Sequence, residues 1–212
     1  MTNEKENVVV AGANGTTGRI IINLLKESKI YNPIAMVRKQ EQKDRFEKEN
    51  VLAVLADLEK DVNHAVKNAS KVIFAAGSKG KNVFGVDQEG AKRLIDASKN
   101  AGVRKFVMLS TMGADDPSVS NTLEDYLKAK QNADEYLKSS GLNYSIVRPG
   151  SLTDKEGRGK ILLKEKLEIH GSISRADVAQ TLVKALEEDV KKNQVFEILA
   201  GETAIDNAVA HY

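Results

Sequence analysis

The chain has 212 residues, with 32 basic and 30 acidic side chains and no cysteine. This length predicts one domain spanning residues 1–212, and the near balance of charge argues against nucleic acid or an anionic membrane as a partner. The lack of cysteine excludes disulfides, thiol catalysis and cysteine-ligated metals. A polar start and the absence of a long apolar run predict a cytoplasmic protein without a membrane-spanning segment.

Short apolar runs alternate with helical patterns along the chain. Runs rich in Val, Ile and Leu predict strands at 7–12, 33–37, 51–55, 71–75, 103–109, 142–147 and 194–199. The segments between them predict helices near 16–28, 40–48, 60–67, 86–101, 121–139 and 174–188. Continuous apolar strands joined through helices predict an α/β fold, a Rossmann-like doubly wound parallel sheet with right-handed crossovers.

The turn after the first predicted strand carries glycines at three-residue spacing, at positions 12, 15 and 18. Gly12 would permit a tight turn, Gly15 the close approach of a pyrophosphate, and Gly18 the packing of the next helix on the strand. The free N–H groups of that helix would face the phosphates. The alternative is a glycine-rich turn without a ligand. The cofactor contacts predicted for this turn are Gly12, Asn14, Gly15, Thr16, Thr17, Gly18 and Arg19.

The end of the second predicted strand bears on the choice of dinucleotide. An acidic residue there would accept a hydrogen bond from the ribose 2′-hydroxyl and favour NAD(H). This chain has Arg38 and Lys39 instead. A guanidinium pairs with a 2′-phosphate in bidentate fashion, and Arg19 could reach the same group. The sequence therefore predicts NADP(H) in preference to NAD(H). The alternative is a pair of solvated charges.

Further candidate contacts follow other strands, at the edge where open α/β sheets bind ligands. Asp57 would accept from the adenine amine while Leu58 packs on the ring. Small side chains after the fourth strand would let the cofactor backbone pass, and a turn after the sixth strand would wall the nicotinamide. These two segments comprise Ala75, Ala76 and Gly77, and Pro149, Gly150, Ser151 and Leu152.

Residues 154–172 break the alternation of strands and helices. Their two short apolar runs, at 160–163 and 166–169, predict a small hairpin or cover on the substrate side of the domain.

Candidate chemistry lies at the fifth strand and in the helix that follows. Tyr126 and Lys130 are four residues apart and so share one helix face. For hydride transfer to or from a carbonyl, Tyr126 could serve as general acid or base. Lys130 would favour the ionised form of its hydroxyl, and Thr111 or Ser110 would hold the carbonyl oxygen. The alternative is an ordinary surface pair on an amphipathic helix.

These features, with the helix start at 86–91, the strand at 105–111 and the segment at 144–150, resemble the atypical short-chain dehydrogenase/reductase superfamily. Within it, the chain is most similar to small NAD(P)-binding proteins labelled as NAD-dependent epimerases, and to the NmrA-like and flavin reductase/biliverdin reductase B branches. The resemblance implies a catalytic set of Ser or Thr, Tyr and Lys, with an Asn in a proton relay. These positions correspond to Thr111 next to Ser110, to Tyr126 and to Lys130, which would also hold the nicotinamide ribose.

The Asn position falls on Asp87, which is a departure from the family pattern. An aspartate cannot donate through an amide, so the ordinary relay is in doubt. The function expected is an NADPH-dependent oxidoreductase that reduces a small carbonyl, quinone or flavin-like acceptor. One alternative is a non-catalytic NADP(H)-binding redox sensor acting on a protein partner. Another is a sugar-nucleotide epimerase or dehydratase, for which residues 154–172 are few to build a substrate lobe.

The three histidines, His64, His170 and His211, are scattered and lack metal-ligand spacing, so no metal site is predicted. The partner expected is a small-molecule substrate. A homodimer stays open, because apolar positions on outer helices look alike whether they face the core or a second subunit.

Overall fold

The computed structural model describes residues 4–78 and 80–211, apart from the side chain of His211. Its strands are β1 (Glu6–Ala11), β2 (Tyr31–Val37), β3 (Leu52–Leu55), β4 (Lys71–Phe74), β5 (Lys105–Leu109), β6 (Tyr144–Pro149), β7 (Ser151–Thr153), β8 (Lys160–Lys164), β9 (Ser172–Ser174), β10 (Gln194–Ala200) and β11 (Thr203–Ala204). Its α-helices are α1 (Thr16–Glu27), α2 (Gln40–Lys48), α3 (Asn63–Val66), α4 (Glu89–Asn100), α5 (Glu124–Ser139), α6 (Arg175–Lys184) and α7 (Ile205–His211).

The main sheet has the order β11-β8-β10-β6-β5-β4-β1-β2-β3. The run from β10 to β3 is parallel throughout, and it consists of the seven strands predicted from the sequence. The prediction of a Rossmann-like α/β sheet is confirmed. Because all seven strands run in the same direction, their carboxyl ends form one edge, and the loops that leave this edge are brought together.

Both faces of the sheet are covered, as the continuous apolar runs predicted. In β1, Val8 and Val10 pack into the cluster that includes α1 and α6, whereas Val9 and Ala11 pack into the cluster that includes α4. All four side chains are fully buried. The alternation follows from the two-residue side-chain period of a strand, and helices on both faces explain why four consecutive positions are apolar.

Of the hairpin or cover predicted for residues 154–172, the hairpin does not form, and the cover on the substrate side stays a prediction. The first run forms β8, which adds to the main sheet as an antiparallel neighbour of β10. The second run forms no strand, and the short strand β9 pairs with β7 instead. The reason is the exposed edge of β10, whose hydrogen-bonding groups β8 satisfies while burying Ile161 and Leu163 in the core.

The expected turn at the end of the sixth strand is also corrected. Strand β6 continues through Pro149, and the chain then only bends at Gly150 before it enters β7. A Cβ at Gly150 would lie 2.4 Å from Leu199 Cδ2 and 2.5 Å from the Gly171 carbonyl oxygen. The close approach of these neighbouring segments therefore requires glycine and holds β7 against the main sheet.

Three helix predictions need adjustment. The helix near 60–67 shortens to α3, and the helix near 174–188 ends at Lys184. The helix near 86–101 begins as a π-helical turn, Val83–Gln88, and becomes α-helical at Glu89. Such turns often occur at functional sites, and this one contains Asp87. No helix in the described part of the chain is long and apolar enough to cross a membrane.

At the amino end of the strands, Lys105 is fully buried and donates to the carbonyl oxygens of Val190 at 3.0 Å and Glu188 at 3.5 Å. Burial lowers its pKa to about 8, with help from the charges of Lys71 and Lys192. The unfolded chain therefore binds more protons than the folded chain above about pH 8.

We expect the free energy of unfolding to rise by about 1–2 kcal/mol between about pH 7.5 and pH 9.5 relative to Lys105→Met. Urea denaturation at several pH values measures this difference. The range stops below the titration of Tyr31, whose pKa is raised to about 12 by burial. Lys99→Met, at an exposed lysine, is the control. Parallel pH curves for the parent protein and Lys105→Met would contradict the prediction.

Candidate cofactor site and active site

The turn between β1 and α1 has the shape of a phosphate cradle. Gly12 adopts φ +84°, and a Cβ there would lie 2.6 Å from the Ala75 carbonyl oxygen. A Cβ at Gly18 would lie 2.1 Å from the Gly12 carbonyl oxygen, so α1 packs directly on the turn. Gly15 is exposed and precedes a helix whose first turn has neither a side-chain cap nor an acidic residue. This helix end can therefore receive an anion, and the residues present fit a dinucleotide.

Thr16 and Thr17 begin α1, where Thr16 is exposed and Thr17 is buried. Both therefore belong to the helix end at which the sequence predicted phosphate binding. Their backbone N–H groups fall within the first turn of the helix, the part of a helix that lacks partners within it.

Basic side chains gather beside this turn. Arg19 and Arg45 both donate to the side-chain oxygen of Asn14, Arg19 at 3.1 Å. The Arg19 guanidinium also lies 5.2 Å from the centre of the Phe46 ring. Arg38 and Lys39 are exposed at the carboxyl end of β2, just before α2. Two guanidiniums on one neutral amide oxygen leave a local excess of positive charge, which suits a doubly charged anion.

Arg45 was missed in the sequence. It lies on α2, 31 positions from Asn14, and no local spacing connects the two. The signal available was the buried Phe46 beside it, which fixes the side of α2 that faces the sheet.

The other predicted cofactor residues lie at the same edge of the sheet. The N–H of Ala75 donates to the Ala11 carbonyl, which places the end of β4, with Ala76 and Gly77, beside the glycine turn. Asp57 is half-buried, and its carboxylate accepts from the N–H of Glu59 at 3.1 Å. Leu58 is largely buried and faces Gly90, where a Cβ would lie 2.8 Å from the Leu58 Cβ. The adenine contact of Leu58 stays a prediction, and its side chain belongs to the core cluster that includes α4.

Lys130 is the central side chain of the candidate active site. It is only 4% exposed, and its ammonium donates to the Leu109 carbonyl at 3.2 Å. The same nitrogen lies 3.7 Å from a carboxylate oxygen of Asp87. It also lies 5.8 Å from the centre of the Phe74 ring and 5.9 Å from that of Tyr126. Lys130 therefore connects the carboxyl ends of β4 and β5 with the half-buried Tyr126.

Asp87 fixes the position of that lysine. It is 2% exposed, and its second carboxylate oxygen accepts from the N–H of Ser78 at 2.9 Å. One oxygen thus holds the segment after β4, and the other faces the ammonium of Lys130. A buried carboxylate and a buried ammonium need each other, because either alone would be costly to keep away from water.

The two hydroxyl candidates differ in their surroundings. Ser110 is buried, and its hydroxyl donates at 2.8 Å to Asp134, which in turn accepts from Arg148. Thr111 is half-buried at the same strand end.

Asp134 was not predicted from the sequence, although two signals pointed to it. It continues the four-residue spacing of Tyr126 and Lys130, and Arg148 in an apolar strand requires a buried partner.

A polar groove of about 930 Å³ lies at the amino ends of the strands, on the side of the sheet opposite the glycine turn. It is lined in part by Glu6, Lys71, Arg104 and Glu188. Its charges pair with one another, with Lys71 2.8 Å from Glu6. It lies away from the glycine turn, so we do not assign the cofactor to it.

A family model described as NAD(P)H-binding matches residues 12–189. The chain belongs to this NAD(P)H-binding family. The match begins at Gly12, the first glycine of the turn. A Bacillus subtilis member described as an uncharacterized sugar epimerase is 38% identical over 210 residues, which is 95% of this chain and 98% of the relative.

Solved structures agree with this NAD(P)H-binding fold. A Bacillus halodurans protein, provisionally described as an NAD-dependent epimerase/dehydratase, is 36% identical with a TM-score of 0.92, and the match covers 98% of this chain and 100% of that one. The oxidoreductase ylbE of Lactococcus lactis is 30% identical with a TM-score of 0.88, covering 97% and 99%. The NAD(P)H-binding chain therefore has the fold of epimerase-like and oxidoreductase-like proteins.

Proposed function

We propose that this protein is an NADPH-dependent oxidoreductase of the atypical short-chain dehydrogenase/reductase type, reducing a small carbonyl, quinone or flavin-like acceptor. The observation that carries the proposal is the position of Lys130, buried between Asp87 and the ring of Tyr126. This group lies at the sheet edge that also bears the glycine turn. When bound, NADPH supplies the hydride.

The roles of the side chains follow from their surroundings. Tyr126 is half-buried and acts as the proton donor to the acceptor. Lys130 has a fixed ammonium that orients the ribose and lies beside the ring of Tyr126. The hydroxyl of Ser110 already donates to a buried carboxylate, so Thr111 is the hydroxyl that holds the acceptor oxygen. Asp87 keeps Lys130 in place and takes no part in a relay of the amide type.

The preference for NADP(H) rests on the basic group formed by Arg19, Arg38 and Arg45. No carboxylate contacts Arg38 among the described residues, and the nearest carboxylate to Arg19 is Glu49 at 4.0 Å. A 2′-phosphate would replace the neutral Asn14 oxygen as the main partner of the guanidiniums. Charge-assisted hydrogen bonds of this kind contribute about 1.5–3 kcal/mol each.

The test is a side-by-side titration of the purified protein with NADPH, NADP⁺, NADH and NAD⁺. We expect Arg38→Ala and Arg45→Ala each to weaken NADPH binding by about 10- to 100-fold and NADH binding by less than about twofold. Arg158→Ala is the matched control, because that exposed arginine pairs with Glu202 away from the turn. Equal losses for NADPH and NADH would show that the two arginines do not read the 2′-phosphate.

Turnover assays with the same purified protein then distinguish the three candidate functions. Net consumption of NADPH by an added quinone or aldehyde supports the oxidoreductase. Turnover of a sugar nucleotide without net consumption of NADPH would support an epimerase. A large preference for one redox state of the cofactor, without turnover of any acceptor, would support a redox sensor. If none of the four dinucleotides binds, the cofactor assignment and the enzymatic proposal are both overturned.

A further inference from the structure

A buried ionic network lies directly behind the loop that carries Thr111. Asp134 on α5 is fully buried, and one of its oxygens accepts from Nε and Nη2 of Arg148, both at 3.0 Å. Burial raises the pKa of Asp134, and the charge of Arg148 opposes this shift. Apolar side chains of similar size often stabilise a core as well as such a pair does. Stability of the core alone therefore does not explain why this position carries a buried ion pair.

The network is connected to both ends of the segment 110–115. At the start, the hydroxyl of Ser110 donates to the same oxygen of Asp134, and the N–H groups of Ser110 and Met112 donate to carbonyls of β6 at 2.8 and 3.0 Å. At the far end, a carboxylate oxygen of Asp115 lies 3.7 Å from Nη1 of Arg148. Arg148 therefore links the two ends, and Thr111 lies between them.

Asp115 has two further connections that hold the far end. Its second carboxylate oxygen accepts from the Lys166 ammonium at 2.6 Å, and its carbonyl accepts from the Gln131 side chain at 3.1 Å. Burial alone would raise the pKa of Asp115, but Lys166 and Arg148 bring it below its ordinary value. The carboxylate is thus ionised at neutral pH and contacts side chains from β6 and from the loop after β8.

We propose that Asp115, acting through Arg148, is a positioning residue that holds Thr111 in place for the acceptor. The proposal rests on the proposed function, in which Thr111 holds the acceptor oxygen. Without the carboxylate, the far end of the segment loses its contacts with Arg148 and Lys166 and keeps only the bond from Gln131 to the backbone carbonyl, while the start stays bound to Asp134. Misplacement of a binding group by a fraction of an ångström to an ångström lowers the rate of an oriented reaction. The glycine turn and the arginines beside it are not part of this network, so we expect NADPH affinity to change little.

The test is a double-mutant cycle between Asp115→Asn and Thr111→Val, with NADPH and 1,4-naphthoquinone as the probe acceptor. We expect Asp115→Asn to lower kcat/KM by about tenfold in the parent protein and by less than about twofold in the Thr111→Val background. The NADPH Kd stays within about twofold. Asp116→Asn is the matched control in the same loop, since the hydrogen bonds given for that carboxylate among the described residues go only to Ser118 and not to Arg148 or Lys166. Equal losses in both backgrounds would overturn the proposal.

A second measurement needs no acceptor and separates this inference from the proposed function. The amide of Ala114, beside Asp115 at the far end of the segment, donates to the Thr111 carbonyl, and it should exchange its hydrogen at least about fivefold faster in Asp115→Asn than in the parent. Unchanged exchange would overturn the positioning role even if activity fell. If Thr111→Val or the quinone assay shows no effect, the assigned role of Thr111 fails, and faster exchange would still establish that Asp115 holds the loop.

Discussion

Tyr126→Phe should lower turnover by about two orders of magnitude or more and leave the NADPH Kd nearly unchanged. The substitution removes only the hydroxyl, which is the proton donor in the proposed reaction, and loss of a general acid costs about 10²- to 10⁴-fold. The ring remains in place, 5.9 Å from the Lys130 ammonium, so the lysine keeps its neighbours. Steady-state reduction of an acceptor, together with a cofactor titration, measures both quantities.

Tyr136→Phe is the matched control for this prediction. Tyr136 lies on the same helix, and its hydroxyl donates to Asp96 at 2.9 and 3.0 Å on the outer side. Tyr136→Phe should therefore leave turnover within about twofold of that of the parent protein, as a surface substitution does. Full activity in Tyr126→Phe would remove the acid/base assignment and would indicate reduction by positioning of acceptor and cofactor alone.

Arg148→Met should destabilise the fold by about 3–5 kcal/mol at neutral pH. Methionine fills much of the space of arginine, but it leaves the fully buried Asp134 carboxylate without its principal partner. The loss should shrink as the pH falls, because protonation of Asp134 removes the buried charge. Urea denaturation at neutral and mildly acidic pH measures the free energy of unfolding.

Two variants control this prediction. Asp134→Leu combined with Arg148→Met removes both charges and should recover a substantial part of the lost stability. Arg158→Met breaks an exposed ion pair with Glu202 and should cost less than about 1 kcal/mol. A similar loss for Arg148→Met and Arg158→Met would show that the buried network contributes no more than a surface pair.

The central sheet was predictable because its pattern is local. Each of the seven parallel strands contains a short apolar run, which is typical of a sheet that is covered on both faces. The antiparallel strands β8 and β11, which extend the sheet beyond β10, were not predictable in the same way. Strand β8 is recognisable as an apolar run, but its pairing with β10 depends on which edge remains free once the sheet is assembled.

The same division holds at the candidate site. The glycine turn and the spacing of Tyr126 and Lys130 are local patterns, and the structure places Lys130 beside the ring of Tyr126. The contacts of Asp134 and Arg45 are not local, since Asp134 lies 24 residues from Ser110 and Arg45 lies 31 residues from Asn14. Their importance follows from burial and from hydrogen bonds of several donors to one shared oxygen. Neither property can be derived from the order of the residues in the sequence.

The sequence alone determined that this chain forms a parallel α/β sheet with a glycine turn between its first strand and first helix, because strand period, helix period and glycine spacing act over a few residues. Only the tertiary structure decided that Asp87 and Leu109 contact the ammonium of Lys130 and that the hydroxyl of Ser110 donates to a buried carboxylate. It also decided that Asp115 contacts Arg148 at the far end of the loop bearing Thr111. These contacts join residues distant in the chain, so they are fixed by which buried charges find partners once the helices pack on the sheet.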